Sequence, residues 1–95
     1  MKQYTNESQT AKLIELGQPK PRYYSADKYT IIHTGFDIIN YSIGELIEML
    51  GVHLSSIYCI GIGWCVNAEG LERRSEELID ALYDMVVKLK EEGVI

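Results

Sequence analysis

The sequence predicts a single α+β domain over residues 1–95, with three helices packed on a small antiparallel sheet of about three or four strands. Three segments carry helical spacing or helix-capping residues, near residues 5–16, 42–50 and 75–93. Two others, residues 22–40 and 57–66, are rich in the aromatic and β-branched residues that strands favour. A chain of 95 residues can bury enough surface for one modest core.

The first helix is expected from Thr5 to Leu16. Thr5 or Ser8 is placed to cap its free amides. Gly17 ends the helix, and the prolines at 19 and 21 prevent it from resuming. Residues 22–40 should then form two or three short strands, with Thr34–Gly35 as a candidate hairpin turn.

The second helix has stronger signals. Ser42 and Glu45 have the spacing of a capping box, in which each side chain binds the backbone amide of the other residue. Tyr41 and Leu46 are placed for an apolar contact across the helix start. Gly51 is expected to end the helix.

The segment Ile57–Val66 has strand composition and leaves two interpretations open, one straight strand or a tight hairpin turning at Gly61–Gly63. In a straight strand one face is apolar, and the other carries only Gly and Cys. A face that thin requires close packing, most simply against a helix backbone. Asn67–Gly70 is expected to be a turn that leads directly into the last helix.

The closing helix is expected from Ser75, its cap, to Gly93, its stop signal. An apolar stripe follows the helical period, with Leu78, Leu82 and Met85 at spacings of four and three. The residues expected to dominate the core are Leu46, Leu50, Ile60, Ile62, Leu78, Leu82 and Met85.

Cys59 and Cys65 would lie roughly 20 Å apart on one straight strand, which is beyond disulfide reach. We expect both to be reduced and mostly buried. The first residues lack the apolar core of a signal peptide, and no apolar run is long enough for a membrane span. The expected location is therefore the cytoplasm.

The charge distribution argues against nucleic-acid binding. The net charge is −5, and residues 41–95 hold ten Asp and Glu against four Lys and Arg. Phosphate contacts need clustered cations, which this half lacks. No enzyme or cofactor motif is expected either: Gly61-Ile62-Gly63 lacks the third glycine of a dinucleotide fingerprint, and the spacing of the cysteines and histidines does not fit a metal site.

Three segments carry a resemblance to known proteins: Ala11–Gly17, a helix ending in Leu-Gly; Tyr41–Leu50, a capped Leu-rich helix; and Glu77–Tyr83, a closing Glu-Leu-Ile-Asp-Ala-Leu-Tyr helix. In these the chain resembles a group of small uncharacterised proteins from gut Bacteroides and their phages or mobile elements. It departs from the group at Gly51-Val52, where a Pro is common. The resemblance implies a small α+β domain of phage or mobile-element origin, and it implies no activity.

Seven tyrosines are the one compositional excess. An apolar ring with a polar tip suits binding surfaces. The candidate binding residues are therefore an aromatic and basic cluster, with the face of the single tryptophan as a further candidate: Arg22, Tyr23, Tyr24, Lys28, Tyr29 and Trp64. The first hypothesis is a non-enzymatic interaction protein that binds a protein partner or forms a homodimer. The alternative is a phage-type sponge that sequesters a nucleotide immune signal.

Overall fold

The computed structural model of the chain describes residues 2–21, 23–24 and 39–95, with side chains for residues 2–21 and 40–95. The helices in these ranges are α1 (Glu7–Glu15), α2 (Ile43–Leu50) and α3 (Leu78–Glu91), with a short 3₁₀ turn at Gly51–His53. The strands are β1 (Tyr23–Tyr24), β2 (Ile39–Asn40), β3 (Leu54–Ile60), β4 (Gly63–Ala68) and β5 (Leu71–Ser75).

The last three strands form an antiparallel sheet in the order β3-β4-β5. Helix α3 packs against β4 and β5, and α2 packs against α3. The predicted α+β class, with helices on a small antiparallel sheet, is therefore confirmed. The two-residue strands β1 and β2 pair antiparallel as a separate sheet.

Helix α1 is capped by Asn6, whereas Thr5 or Ser8 was expected. The Asn6 side chain accepts from the Gln9 amide at 2.8 Å, and the Gln9 side chain accepts from the Asn6 amide at 3.0 Å. Gln9 also donates to Asp80 Oδ1 of α3 at 2.8 Å, and Lys2 pairs with the same oxygen at 2.9 Å. These contacts join the N-terminal segment to the closing helix.

A buried polar seam connects α1 to β2. Thr5, Thr10 and Asn40 are all buried. The Thr10 hydroxyl donates to Asn40 Oδ1, so it accepts from the Thr5 hydroxyl at 2.7 Å. The Thr5 backbone amide donates to the Tyr41 carbonyl at 2.9 Å, and Thr5 Oγ1 accepts from the Tyr41 amide at 3.0 Å. The seam satisfies polar groups that would otherwise be costly to bury.

The predicted start of α2 is confirmed. Ser42 Oγ accepts from the Glu45 amide at 3.2 Å, and Glu45 Oε1 accepts from the Ser42 amide at 3.1 Å. Tyr41 and Leu46 are both fully buried in the core. Gly51 follows the helix with φ of 52°, as expected for a helix stop.

The structure decides between the two interpretations of Ile57–Val66 in favour of the hairpin. β3 and β4 are joined by a two-residue turn at Gly61–Ile62, with Ile60 paired to Gly63. Gly61 has φ of 58°, which fits the first central position of a type II′ turn. The turn overturns part of the predicted core, because Ile60 and Ile62 are 42% and 88% exposed.

The expected packing of a helix backbone against the glycines was also wrong. The close neighbour of Gly63 is the end of β5: a Cβ on Gly63 would lie 3.0 Å from the Ser75 carbonyl oxygen. A side chain at this position would push the third strand away from the second. Gly63 is therefore needed for strand pairing rather than for helix packing.

The closing helix begins later than predicted, because Leu71–Ser75 forms strand β5. Ser75 is the last residue of that strand, and Glu77 stands at the cap position without a capping side-chain bond. The apolar stripe of α3 does face the core. The buried core is built from α1, α2, β4 and α3, with Leu13, Leu46, Leu50, Val66, Ala68, Leu78, Ile79, Leu82, Met85, Val86 and Leu89.

Candidate functional site

Three of the six predicted binding residues lie outside the described part of the chain. These are Arg22, Lys28 and Tyr29. Tyr23 and Tyr24 are described as backbone only, as strand β1 pairing with Asn40 and Ile39. The hypothesis of an aromatic and basic binding cluster therefore stays a prediction.

Trp64 lies on β4, on the sheet face that packs against α3. Its side chain is half-buried and contacts the core. Beside it a shallow groove is lined by Ile60, Ile62 and Gly63 from the hairpin and by Arg74, Ser75 and Glu76 from the end of β5. Trp64 is thus part of the core on one side and of a surface groove on the other.

We define the hairpin surface as Tyr58, Ile60, Ile62 and Trp64. The first two residues point to the outer face of the sheet, away from α3, and Ile62 forms the turn. Tyr58 and Ile60 are each 42% exposed. Exposed apolar side chains that lie near one another are one feature of protein interaction sites.

A second feature of the outer face is a polar cluster centred on Cys65. The strand register places Tyr58 and Arg74 opposite this cysteine, one on each side. The thiol donates to Glu72 Oε1 at 2.8 Å, and Arg74 pairs with the same oxygen at 3.2 Å. The Asn67 amide donates to Cys65 Sγ at 3.7 Å. We call these five residues the outer-face cluster.

The protonation of the cluster follows from these contacts. The hydrogen bond from Cys65, followed by the one from Arg74, lowers the pKa of Glu72. Contact with the Cys65 thiol is the main reason that the pKa of Tyr58 is raised, although Asn67 opposes this change. The cluster therefore contains an ionised carboxylate that accepts from both a thiol and a guanidinium.

Within the described residues, Cys65 of the outer-face cluster lacks the access to solvent that a reactive nucleophile needs. Cys65 is fully buried beneath its neighbours, and its proton is engaged with Glu72. The two histidines cannot be paired with it on the described residues: His53 binds Glu69 at 2.6 Å, and His33 lies outside the described ranges. A thiol that acts as a nucleophile needs access and a base to remove its proton.

The two cysteines have different environments. Both are free thiols, but Cys65 is buried and Cys59 is exposed. Cys59 pairs with Trp64 and Cys65 with Tyr58, so their side chains point to opposite faces of the hairpin. The expectation that both would be mostly buried was wrong for Cys59, because the strand that carries it lies at the edge of the sheet.

Within the described ranges, no group of three His, Cys, Asp or Glu side chains is arranged to hold a metal ion. None of the helices that the structure describes has both the length and the apolar character required to cross a bilayer. Searches of protein-family models, curated proteins and solved structures find no match to this chain.

Sequence reasoning missed both features of the outer face. Tyr58, Cys65 and Glu72 come from three different strands, and only the strand register brings them together. The available signal was Gly61, since a glycine followed by one residue is compatible with a two-residue hairpin turn. A prediction based on that turn would have placed Ile60 and Ile62 on the surface.

Proposed function

We propose that this chain is a small non-enzymatic interaction module that binds another protein through the hairpin surface. The observation that carries the proposal is the exposure of Tyr58, Ile60 and Ile62 together on one hairpin, beside the partly exposed Trp64. Tyrosine and tryptophan are enriched among the residues that dominate binding energy at interfaces. Covering these side chains would remove apolar area from water, which favours association.

The chemistry of the partner follows from the edge strand. β3 lies at one edge of the sheet and has no charged residue along Leu54–Ile60. Such an edge can accept an extended segment as a further strand, with main-chain hydrogen bonds for affinity and side-chain contacts for specificity. The partner segment would be extended and largely apolar.

The outer-face cluster supports the proposal that the hairpin is a binding surface rather than a catalytic site. The register places Tyr58 opposite Cys65, and Cys65 in turn binds Glu72 of the third strand. On this proposal the neighbouring side chains limit the conformations of the Tyr58 ring before a partner arrives. A side chain that is already ordered loses less conformational entropy on binding.

The proposed phage or mobile-element origin has a separate basis. It rests on the resemblance of Ala11–Gly17, Tyr41–Leu50 and Glu77–Tyr83 to the small proteins of gut Bacteroides and their phages. In that setting the partner would be a host protein or a protein of the same element.

The test is a matched pair of substitutions. Ile60→Lys places a charge on the hairpin surface, whereas Ile14→Lys places one on α1, at a position of nearly equal exposure (42% and 41%). A tagged chain is used to capture partners from the native host, and each purified partner is then titrated with both variants. We expect Ile60→Lys to abolish binding and Ile14→Lys to preserve it. Equal binding by the two variants would show that the hairpin surface is not the site.

A further inference from the structure

The outer edge of β3 lacks the usual protection against pairing. No other strand in the described residues pairs with that side of β3, since the sheet order is β3-β4-β5. Edge strands are commonly protected by charged residues or proline, and β3 has neither. The opposite edge, β5, carries Glu72, Arg73 and Arg74. The difference between the two edges indicates that β3 is the one suited to a strand partner.

The turn determines which backbone groups face outward. In a two-residue hairpin the residues that flank the turn exchange the closing hydrogen bonds, here Ile60 and Gly63. Hydrogen-bonded and non-bonded pairs then alternate, so Tyr58 also bonds toward β4. Ile57 and Cys59 direct their N–H and C=O groups to the free edge.

The exposed apolar residues follow the same edge. Six large hydrophobic residues of the described chain are exposed, and four of them lie between positions 52 and 62. Val52, which precedes β3, is 96% exposed, and Ile62, which follows it, is 88% exposed. An antiparallel strand that covers both Val52 and Ile62 must itself be apolar at its two ends and uncharged between them. β3 has this pattern, so the edge is complementary to itself.

We infer that the strand that binds along β3 belongs to a second copy of this chain. This inference rests on the proposed function and names the occupant of the hairpin surface. The two β3 strands run antiparallel about a two-fold axis at Tyr58, so that Tyr58 of one protomer faces Tyr58 of its partner. Ile57 faces Cys59 and Ser56 faces Ile60. Since β3 carries no charge, no like charges of the two strands meet along this edge.

The register is fixed by the requirement that equivalent faces meet. An axis at Ile57 would set Ile60 against Leu54, but the irregularity between Leu54 and Ser56 puts these side chains on opposite faces. An axis at Cys59 would set Ile57 against Gly61, which belongs to the turn. An axis at Tyr58 uses only the regular residues of β3. It leaves Val52 of one protomer and Ile62 of the other beyond the same end of the ladder, outside the paired residues.

The size of this interface sets the expected affinity. A ladder of about five residues with flanking apolar contacts is smaller than a standard interface of roughly 1,600 Å². We therefore expect a reversible dimer with a dissociation constant between about 1 and 100 µM. Analytical ultracentrifugation over that range should show the sedimentation coefficient rising with concentration.

The first variant removes one outward donor. Cys59→Pro deletes an N–H that points away from β4, toward the edge where no strand of the described residues pairs, a position where an edge strand tolerates proline. Cys59→Ala keeps the N–H and serves as the control. We expect Cys59→Pro to sediment as a folded monomer and Cys59→Ala to dimerise like the parent chain. Circular dichroism verifies that both variants fold.

The second pair of variants tests the axis. Tyr58→Lys and Tyr58→Glu should each weaken the dimer about tenfold or more, because like charges then face each other. Mixing the two should restore association, because opposite charges meet across the axis. Ser56→Lys and Ser56→Glu are the control, because Ser56 faces Ile60 of the partner rather than its own copy. Mixing these two variants should not restore association.

The outcomes separate this inference from the proposed function. A parent chain that stays monomeric throughout, or a dimer that survives Cys59→Pro, overturns the inference. In either case, if the parent chain binds a captured partner and the Ile60→Lys variant does not, the proposed function stands and the hairpin surface binds a different protein. If the dimer behaves as described and no other protein binds the hairpin surface, the inference stands and the role in binding another protein fails.

Discussion

The Sγ atom of Cys65 lies 2.8 Å from Oε1 of Glu72, on the sheet face that α3 does not cover. A thiol on an outer face would ordinarily be open to reagents, yet Cys65 is fully buried. The strand register places Tyr58 and Arg74 of the outer-face cluster on either side of it. Cys59, in the adjacent strand, is exposed.

The two thiols should therefore react at different rates. Under native conditions an Ellman titration should detect one thiol rapidly and the second only slowly, with both reacting fully after unfolding. Cys59→Ser should remove the fast phase, and Cys65→Ser the slow phase. Two fast thiols in the parent chain would show that the outer-face cluster opens readily in solution.

A second prediction compares two apolar residues of equal hydrophobic character. Leu82 of α3 is fully buried, whereas Ile62 at the turn is 88% exposed. Leu82→Ala should lower the free energy of unfolding by roughly 2–5 kcal/mol, because it removes core contacts and leaves a cavity. Ile62→Ala should lower it by less than about 0.5 kcal/mol. Urea denaturation measures both. Similar losses for the two variants would contradict the assignment of the core.

Local signals predicted the helices well. The capping box of α2 needs only Ser42 and Glu45 three residues apart, and both partners are visible in the sequence. The stripe of α3 likewise depends on spacing alone. Strand β5 was missed because its sequence, Leu-Glu-Arg-Arg-Ser, has little intrinsic strand preference and depends on pairing with β4.

The hairpin could not be predicted from alternation, for a geometric reason. Tyr58 and Ile60 fall on even positions before the turn, and Trp64 and Val66 on even positions after it. A straight strand would place all four on one face. The two-residue turn reverses the phase, so Trp64 and Val66 face the core while Tyr58 and Ile60 face away. The candidate site is a consequence of that reversal.

The third prediction concerns Asp80, in the first turn of α3. Burial raises the pKa of this carboxyl group, but hydrogen bonds from Lys2 and Gln9 outweigh it, so the pKa is lower than usual. A lowered folded-state pKa stabilises the fold above the unfolded-state value of about 3.9. That stabilisation is lost as the pH falls through the folded-state value. Asp80→Asn should therefore cost about 1 kcal/mol at pH 7 and progressively less below pH 4 or so.

Asp84, one turn further along α3, provides the matched comparison. Burial and the charge of Asp80 raise the pKa of Asp84, and Arg73 only partly opposes them. Its ionised form is therefore disfavoured in the folded state, and Asp84→Asn should stabilise the protein slightly at pH 7. The gain should vanish at low pH, where the carboxyl group is already protonated. Thermal unfolding from pH 2 to 8 measures both variants; effects of the same sign at neutral pH would contradict the assigned contacts.

The last prediction tests the alternative function, sequestration of a nucleotide. It depends on residues 22–29, where three tyrosines are near Arg22 and Lys28 in the sequence. Tyrosine rings can stack on a base, and a cation can hold a phosphate. Mass spectrometry of small molecules released from the heat-denatured protein should then find a nucleotide with the parent chain. The triple substitution of Arg22, Tyr23 and Tyr24 by Ala should abolish it, while the thermal midpoint stays nearly unchanged.

Lys20→Ala is the control for that experiment, because it removes an exposed positive charge from the same stretch and leaves the tyrosines intact. A nucleotide retained by the triple variant would place the ligand elsewhere on the chain. Unfolding of the triple variant would assign the two tyrosines a structural role, which is consistent with the pairing of Tyr23 with Asn40 beside the buried seam of Thr5 and Thr10. Because Ile60→Lys leaves residues 22–29 untouched, it should lose a protein partner without losing a nucleotide. Ile60→Lys and the triple variant together therefore separate protein binding at the hairpin surface from nucleotide binding near β1.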